Sequence, residues 1–129
     1  MKLYTSVDIA PSEKKIGYQD KILLLGSCFA DNVGEKFAEH YFQTTINPFG
    51  TLYNPVSIAN NLLPITSDHL PIVCHNGLWH SMMHHGGFSH PDKDELLQRC
   101  EESRTIMRRA LQESSTIIVP LGSTQFFPQ

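Results

Sequence analysis

The residues best suited to chemistry lie together in the turn Gly26-Ser27-Cys28-Phe29-Ala30. Glycine permits a tight bend and a close approach of a ligand to the backbone. Ser27 and Cys28 stand near the predicted start of a helix, where unpaired N–H groups point outward and the helix dipole favours an anion. A thiolate or a tetrahedral oxyanion would be stabilised there. The other interpretation is that Ser27 is only an N-cap and Cys28 a small core residue.

A second group of residues with reactive side chains is the histidine cluster, which comprises His80, His84, His85 and His90. Two histidines four apart on a helix can bind zinc, but this segment has the pattern of strand and loop. No carboxylate or cysteine completes a ligand set at the usual spacing, so we expect neither a metal nor a cofactor. One of these histidines could act as a base for Ser27 or Cys28 if the loop folds over the turn. A polar surface loop is the alternative.

The elements that must position these residues alternate between strands and helices. The predicted strands are 21–25, 42–46, 72–75, 78–81 and 116–119, and the predicted helices are 31–41, 55–63 and 92–114, with a loop over 64–71. In the first helix Val33, Phe37 and Tyr41 are predicted to share one face. The apolar stripe predicted for the last helix is Leu96, Leu97, Cys100, Ile106, Met107, Ala110 and Leu111. Asn76-Gly77 predicts a hairpin between the third and fourth strands.

This order, β-α-β-α-hairpin-α-β, predicts an α/β fold with a doubly wound, mostly parallel sheet. Such sheets bind ligands beyond the carboxyl ends of their strands. The segments that follow three of the predicted strands are Gly26-Ser27, Asn47 to Gly50 and Gly122-Ser123. Their convergence at one edge of the sheet is the structural argument for a site.

Composition narrows the class of protein. The 129 residues are 40% hydrophobic and carry a formal net charge of −3, which is compatible with one globular core. Without a basic stripe or a long apolar run, we expect neither a nucleic-acid nor a membrane partner. The odd count of three cysteines suggests no disulfide framework and a cytoplasmic location. We expect residues 1–20 to form an irregular lead-in and residues 21–129 to form the N-terminal part of a domain.

Several separate motifs resemble one family. Leu25-Gly26-Ser27-Cys28-Phe29-Ala30 is similar to the signature of the GSCFA-domain family. The same family is matched by Asn47-Pro48-Phe49-Gly50-Thr51, Tyr53-Asn54-Pro55, His84-His85 and Phe88-Ser89-His90. That family is related to the SGNH (GDSL-like) hydrolases. The resemblance therefore implies a three-layer, SGNH/flavodoxin-like α/β fold and action on an ester of a small molecule or an acylated carbohydrate, with acyl transfer as a variant.

The resemblance also implies roles for particular residues. A gap-free match puts Cys28 on the nucleophile position, whereas a shift by one residue puts Ser27 there. The residues expected to hold the oxyanion or the substrate are Gly26, Asn47, Gly50, Gly122, His84, His85 and His90. The third-strand asparagine of SGNH enzymes is absent, since Ser123-Thr124-Gln125 follows Gly122.

The Asp-x-x-His pair of SGNH enzymes is also absent from the sequence. This predicts an N-terminal portion truncated after the third core strand, with an exposed sheet edge open to self-association. A non-catalytic fragment or binding module is therefore the alternative function.

Overall fold

The computed structural model describes residues 4–63 and 70–122 and shows an α/β chain with a parallel three-stranded sheet and three helices. The strands are β1 (Lys21–Leu24), β2 (Gln43–Ile46), β3 (Ile72–His75), β4 (Leu78–Ser81) and β5 (Thr116–Ile118). The helices are α1 (Cys28–Glu39), α2 (Pro55–Leu62) and α3 (Lys93–Glu113), with a short 3₁₀ turn at Gly86–Phe88. The predicted order of elements is confirmed. Of the loop predicted over 64–71, residues 64–69 lie outside the described ranges. No helix in those ranges is long and apolar enough to cross a bilayer.

The sheet is built around β1. Its order is β2-β1-β5, and both neighbours run parallel to β1, with Leu23 opposite Thr45 on one side and Ile117 on the other. Alternate residues of β1 enter two different cores, as expected for a strand buried on both faces. One core comprises Leu23, Leu25, Phe49, Ile58, Met107 and Ala110, and the other comprises Ile22, Leu24 and Ala30. Every side chain of the Ile22–Leu25 run is therefore committed to packing.

Helix α1 begins and ends earlier than the sequence predicts. It begins at Cys28 rather than Asp31, because Ser27 provides the N-cap. It ends at Glu39, and Tyr41, predicted on the buried face, is 87% exposed with φ 65°. The amides of Tyr41 and Phe42 donate to the carbonyls of Ala38 and Phe37, a Schellman end that puts Tyr41 in the left-handed region. The prediction for Tyr41 is wrong because the helix closes in front of it.

The other elements follow the prediction closely. Asn76 and Gly77 both have positive φ, as a type I′ hairpin turn requires. Helix α3 is capped by Asp92, whose carboxylate accepts from the amides of Asp94 and Glu95. One residue of its predicted stripe is wrong, since Ile106 is 52% exposed. Ser103 is buried instead, because its hydroxyl donates to the Cys100 carbonyl and meets a buried imidazole.

Candidate functional site

The carboxyl end of β1 is where the sheet changes winding direction. The chain passes from β1 through α1 to β2 on one side, and it returns much later to place β5 on the other side. Crevices at such switch points are the usual ligand sites of parallel sheets. The turn Gly26–Cys28 lies directly at this point.

Gly26 forms the bend that leads out of β1. Its φ of 145° suits glycine alone, and an added Cβ would lie 3.3 Å from the Pro120 ring. Its carbonyl accepts from the Leu52 amide at 2.8 Å, and its own amide donates to Asn47 Oδ1 at 2.7 Å. The turn is therefore held from the loops after β2 and β5.

Asn47 joins three elements. Its amide N–H donates to the Leu24 carbonyl, and its side-chain Nδ2 donates to Asp31 Oδ1 in α1 at 2.6 Å. The Gly50 amide in turn donates to the Asn47 carbonyl at 2.8 Å. The void of about 10 Å³ beneath this turn has room for no more than a water molecule. A ligand must consequently lie on the outer side of the turn.

Ser27 and Cys28 have different environments. The Ser27 hydroxyl is half-buried and accepts from the Phe29 amide at 3.3 Å, so it caps α1. This is the N-cap role that the less reactive interpretation gives it. Cys28 is the first residue of the helix, and its thiol is free and exposed rather than part of the core. The outward-facing nucleophilic atom of the turn is the Cys28 sulfur.

Tyr53 was missed by the sequence reasoning and lies beside that sulfur. A side-chain hydrogen bond with Cys28 raises the pKa of the Tyr53 phenol, and the nearby charges of Cys28 and Asp31 add to the effect. The hydroxyl is therefore a protonated donor at neutral pH. Its neighbours are fixed, because Leu52 bonds to Gly26 and Asn54 caps α2. In the sequence Tyr53 was only part of the family motif Tyr53-Asn54-Pro55, which does not indicate a contact with Cys28.

The histidine loop does fold onto the site, through His85. Its amide donates to the Phe49 carbonyl at 2.9 Å. It packs so closely that a Cβ at Gly50, where φ is 79°, would overlap the His85 Cβ. Its Nδ1 accepts from the Gly87 amide at 3.1 Å, which assigns the proton of a neutral ring to Nε2. The exposed Nε2–H is thus a donor close to the Asn47–Gly50 loop.

His84, in contrast, lies inside the protein. It is 8% exposed between the rings of Phe49 and Phe88, and its nitrogens meet Ser81 Oγ at 2.7 Å and Ser103 Oγ at 3.0 Å. Burial, with a smaller contribution from the Arg104 charge, lowers the pKa of its imidazole to about 4. A neutral, enclosed ring of this kind supports the loop but does not face the turn.

The remaining predicted residues lie apart from Cys28 or at its margin. His80 Nδ1 meets the Ser89 hydroxyl at 2.7 Å, and His90 Nδ1 accepts from the Asp92 amide at 3.1 Å, so both order the hairpin and the start of α3. Gly122 is exposed, two residues beyond the proline that packs on Gly26. Ser123, Thr124 and Gln125 lie outside the described residues. The structure thus brings together Gly26, Ser27, Cys28, Asn47, Gly50 and His85, with Asp31 and Tyr53 added.

Comparison with known proteins identifies the family. The sequence model of the GSCFA family matches residues 21–129, which is most of the chain and includes every residue of this site. No curated protein and no solved structure shows a significant match. The chain therefore belongs to the GSCFA family.

Proposed function

We propose that this domain is an SGNH-type acyl hydrolase with a three-layer, flavodoxin-like architecture, and that Cys28 is its nucleophile. The substrate class is an ester of a small molecule or of an acylated carbohydrate. The observation that carries the proposal is the exposed Cys28 thiol at the first residue of α1, beside Tyr53 at the switch point of the sheet. Helices pack on both faces of β1, which supports the layered architecture.

The environment favours Cys28 over Ser27 as the attacking group. The Ser27 hydroxyl is half-buried and already accepts the bond that caps the helix. A thiolate at Cys28 would meet the positive end of the α1 dipole together with the Tyr53 hydroxyl. A nucleophile activated by position and a neighbouring donor is the usual arrangement for covalent catalysis.

The oxyanion would be held by hydrogen-bond donors that are not already used to hold the turn together. The amides of Gly26 and Gly50 already donate to Asn47, so these residues shape the turn. The groups that face outward are the Cys28 amide in the first helical turn, the Tyr53 hydroxyl and the His85 Nε2–H. Two or three such donors directed at one oxygen are what acyl transfer requires.

The proposed reaction proceeds through a thioester intermediate. The Cys28 sulfur forms a bond to the ester carbonyl carbon, and the thiol proton passes to a histidine base from outside the described residues. The C–O bond then breaks, and the alkoxide leaves with that proton as an alcohol. Water attacks the thioester in the second step, which releases the acid and restores the thiol. In acyl transfer a sugar hydroxyl takes the place of that water.

Hydrolysis of p-nitrophenyl acetate by purified variants tests this proposal. We expect Cys28→Ala to abolish hydrolysis and iodoacetamide labelling at this position, and Ser27→Ala to retain most of the activity. Cys74→Ala is the matched control, because Cys74 is also exposed but lies on the hairpin. Loss of activity in Ser27→Ala alone, with fluorophosphonate labelling of Ser27, would move the nucleophile one residue earlier.

A non-catalytic binding module remains the second candidate. It is favoured by one observation, that none of the described histidines is hydrogen-bonded to Cys28. Under this function the wild type and Cys28→Ala would hydrolyse the ester at the same background rate. Equal rates together with normal folding would therefore replace the hydrolase proposal with this one.

A further inference from the structure

A cavity lies away from the β1 turn, between α2, α3 and the loop that carries His84. Its volume of about 460 Å³ is within the range of small-molecule sites. Its apolar wall is formed by Phe49, Met83, Met107 and Leu111. No residue of the turn Gly26–Cys28 lines it, so it is a concave surface distinct from the site at Cys28.

Hydrogen bonds hold the inner end of this cavity in shape. The buried Asn61 side chain of α2 donates from Nδ2 to the Met83 carbonyl at 3.0 Å. His84 Nε2 meets the Ser103 hydroxyl of α3 at 3.0 Å, and the His84 ring packs edge to face on Phe49. Both helices are thus tied to the same loop, and the cavity has its shape before any ligand arrives.

The charges around the cavity do not balance. Of the described residues that line it, three are charged, namely Glu101, Arg104 and Arg108. They stand three and four residues apart on α3, which places them on one face of that helix. His84 adds no charge at neutral pH, because burial lowers the pKa of its imidazole to about 4. One carboxylate and two guanidinium groups leave one positive charge in excess.

Arg104 is the cation that lies deepest. Its side chain is 12% exposed, and its Nη1 lies 3.4 Å from Glu101 Oε2, a long ion pair to a carboxylate that is half exposed. This is the only hydrogen bond of its side chain within residues 4–63 and 70–122, although a guanidinium has five N–H donors. Buried charges are normally paired more completely than this. Arg104 therefore has both charge and donors to offer a ligand.

The chemistry of this lining selects the class of ligand. A planar carboxylate matches the guanidinium fork with two parallel hydrogen bonds. A single excess positive charge favours a monoanion, since Glu101 would repel the second charge of a phosphate monoester. The wall of Phe49, Met107 and Leu111 in turn favours an apolar body behind the carboxylate.

From this combination of a buried, incompletely paired guanidinium and an apolar wall, we infer that the cavity between α2 and α3 binds a small aliphatic carboxylic acid. The carboxylate pairs with Arg104, and the aliphatic body packs on Phe49 and Met107. The inference does not depend on the proposed function, because the cavity and the Cys28 turn share no residue.

Titration of the full chain with octanoate, and separately with 1-octanol, tests the inference. The methyl signals of ¹³C-methyl-labelled methionine report where each ligand binds, because Met83 and Met107 line the cavity and the exposed Met82 does not. We expect both ligands to shift the Met83 and Met107 signals and to leave Met82 in place. Octanoate should bind at least about tenfold more tightly than 1-octanol, as expected for hydrogen bonds to a charged group.

Three variants of α3 identify the cation. Arg104→Gln should weaken octanoate binding by about tenfold or more and leave 1-octanol binding unchanged. Arg109→Gln is the matched control, because it removes the same charge from a side chain that is 76% exposed and paired with Glu113. Glu101→Gln should tighten octanoate binding, because it removes the carboxylate that competes for Arg104.

Several outcomes would overturn the inference. These are equal affinities for octanoate and 1-octanol in the wild type, shifts that spare Met83 and Met107, and an equal loss of octanoate binding in Arg104→Gln and Arg109→Gln. Tighter binding of octyl phosphate than of octanoate would overturn the choice of a carboxylate. If Arg104→Gln does not fold, Glu101→Gln decides, and octanoate binding that is no tighter in that variant would contradict pairing with Arg104.

Discussion

Two regions of the molecule combine cysteine, serine and histidine, and they use them in opposite ways. At the β1 turn, Cys28 is exposed, Ser27 is half-buried and His85 presents Nε2 to solvent. In the His84 cluster, which consists of Ser81, His84, Cys100 and Ser103, all four side chains are buried. The Cys100 sulfur lies 3.6 Å from His84 Nδ1, and both serine hydroxyls meet the ring.

Contact geometry alone would select the His84 cluster as the reactive one. Burial reverses this conclusion, because it raises the pKa of the Cys100 thiol and lowers that of the His84 imidazole. Each group is thereby held in its neutral form, so the pair cannot become thiolate and imidazolium. Residues of reactive types at short distances can react only where solvent and substrate reach them and where their charged forms are stable.

The largest difference should appear in thiol alkylation. In the native protein iodoacetamide should modify Cys28 at least about a thousandfold faster than Cys100, because exposing Cys100 requires α3 to open, at a cost of about 4 kcal/mol or more. Peptide mass spectrometry after timed quenching measures both rates. In guanidinium chloride the two rates should converge. Rapid native labelling of Cys100 would show that the His84 cluster is accessible and would remove the contrast.

Acid stability should report on His84 next. Its pKa is about 4 in the folded protein against an ordinary value of 6.5, so below pH 6.5 the unfolded chain binds a proton that the native chain does not. The unfolding free energy should therefore fall as the pH drops from about 6.5 to about 4, by about 2–3 kcal/mol from this residue. Urea unfolding at pH 7 and pH 4.5 measures the change.

The controls for this prediction replace one imidazole at a time. In His84→Gln the difference between the two pH values should be smaller by that amount, even if the variant is less stable at both. In His85→Gln it should equal the wild-type difference. An unchanged pH dependence in His84→Gln would mean that the buried ring does not resist protonation.

The close packing of the histidine loop on the turn should be visible in a pair of glycine variants. Gly50 and Gly77 both have positive φ, but an added Cβ meets His85 at Gly50 and nothing within 4 Å at Gly77. Both alanine variants carry the backbone strain, and Gly50→Ala adds overpacking of about 1–3 kcal/mol. Urea unfolding of the two variants gives this difference directly. Equal losses of stability would show that His85 moves aside freely.

The smallest expected effect concerns Tyr53. Tyr53→Phe keeps the ring and removes the donor beside Cys28, so alkylation of Cys28 at neutral pH should slow by a factor of about 3–10, as expected for one hydrogen bond to a charged group at an exposed site. Tyr41→Phe, which changes an exposed tyrosine at the far end of α1, should leave the rate unchanged. Identical rates for the two variants would leave Tyr53 without a role at the thiol.

Much of the fold could be predicted because its signals are local. The apolar run 22–25, the Asn76-Gly77 turn and the acidic first turn of α3 each specify an element from a few adjacent residues. The two errors of position, Tyr41 and Ile106, arise where a helix end or a buried serine overrides periodicity. Ser103 is polar by type, and its hydrogen bonds to the Cys100 carbonyl and to His84 make a buried position favourable.

The site was predictable at the turn and less so around it. Gly26, Asn47 and Gly50 could be placed together, because each follows a strand of one parallel sheet. The Tyr53 and Asp31 contacts depend on side-chain directions that no spacing reveals. The division of the histidines, with His85 at the surface and His84 in the core, likewise depends on the path of one loop between two rings.

The central position of β1 has a consequence for how the protein is made. Its partner β2 lies about 20 residues away in sequence, whereas β5 lies more than 90 residues away. Local pairs form quickly, and a long closed loop is completed last. During synthesis β1 and β2 can pair while α3 is still being added. The packing of Pro120 against Gly26 can form only after β5 has left the ribosome. A nascent chain would thus carry the Gly26 turn without its Pro120 contact until nearly all of the described sequence exists.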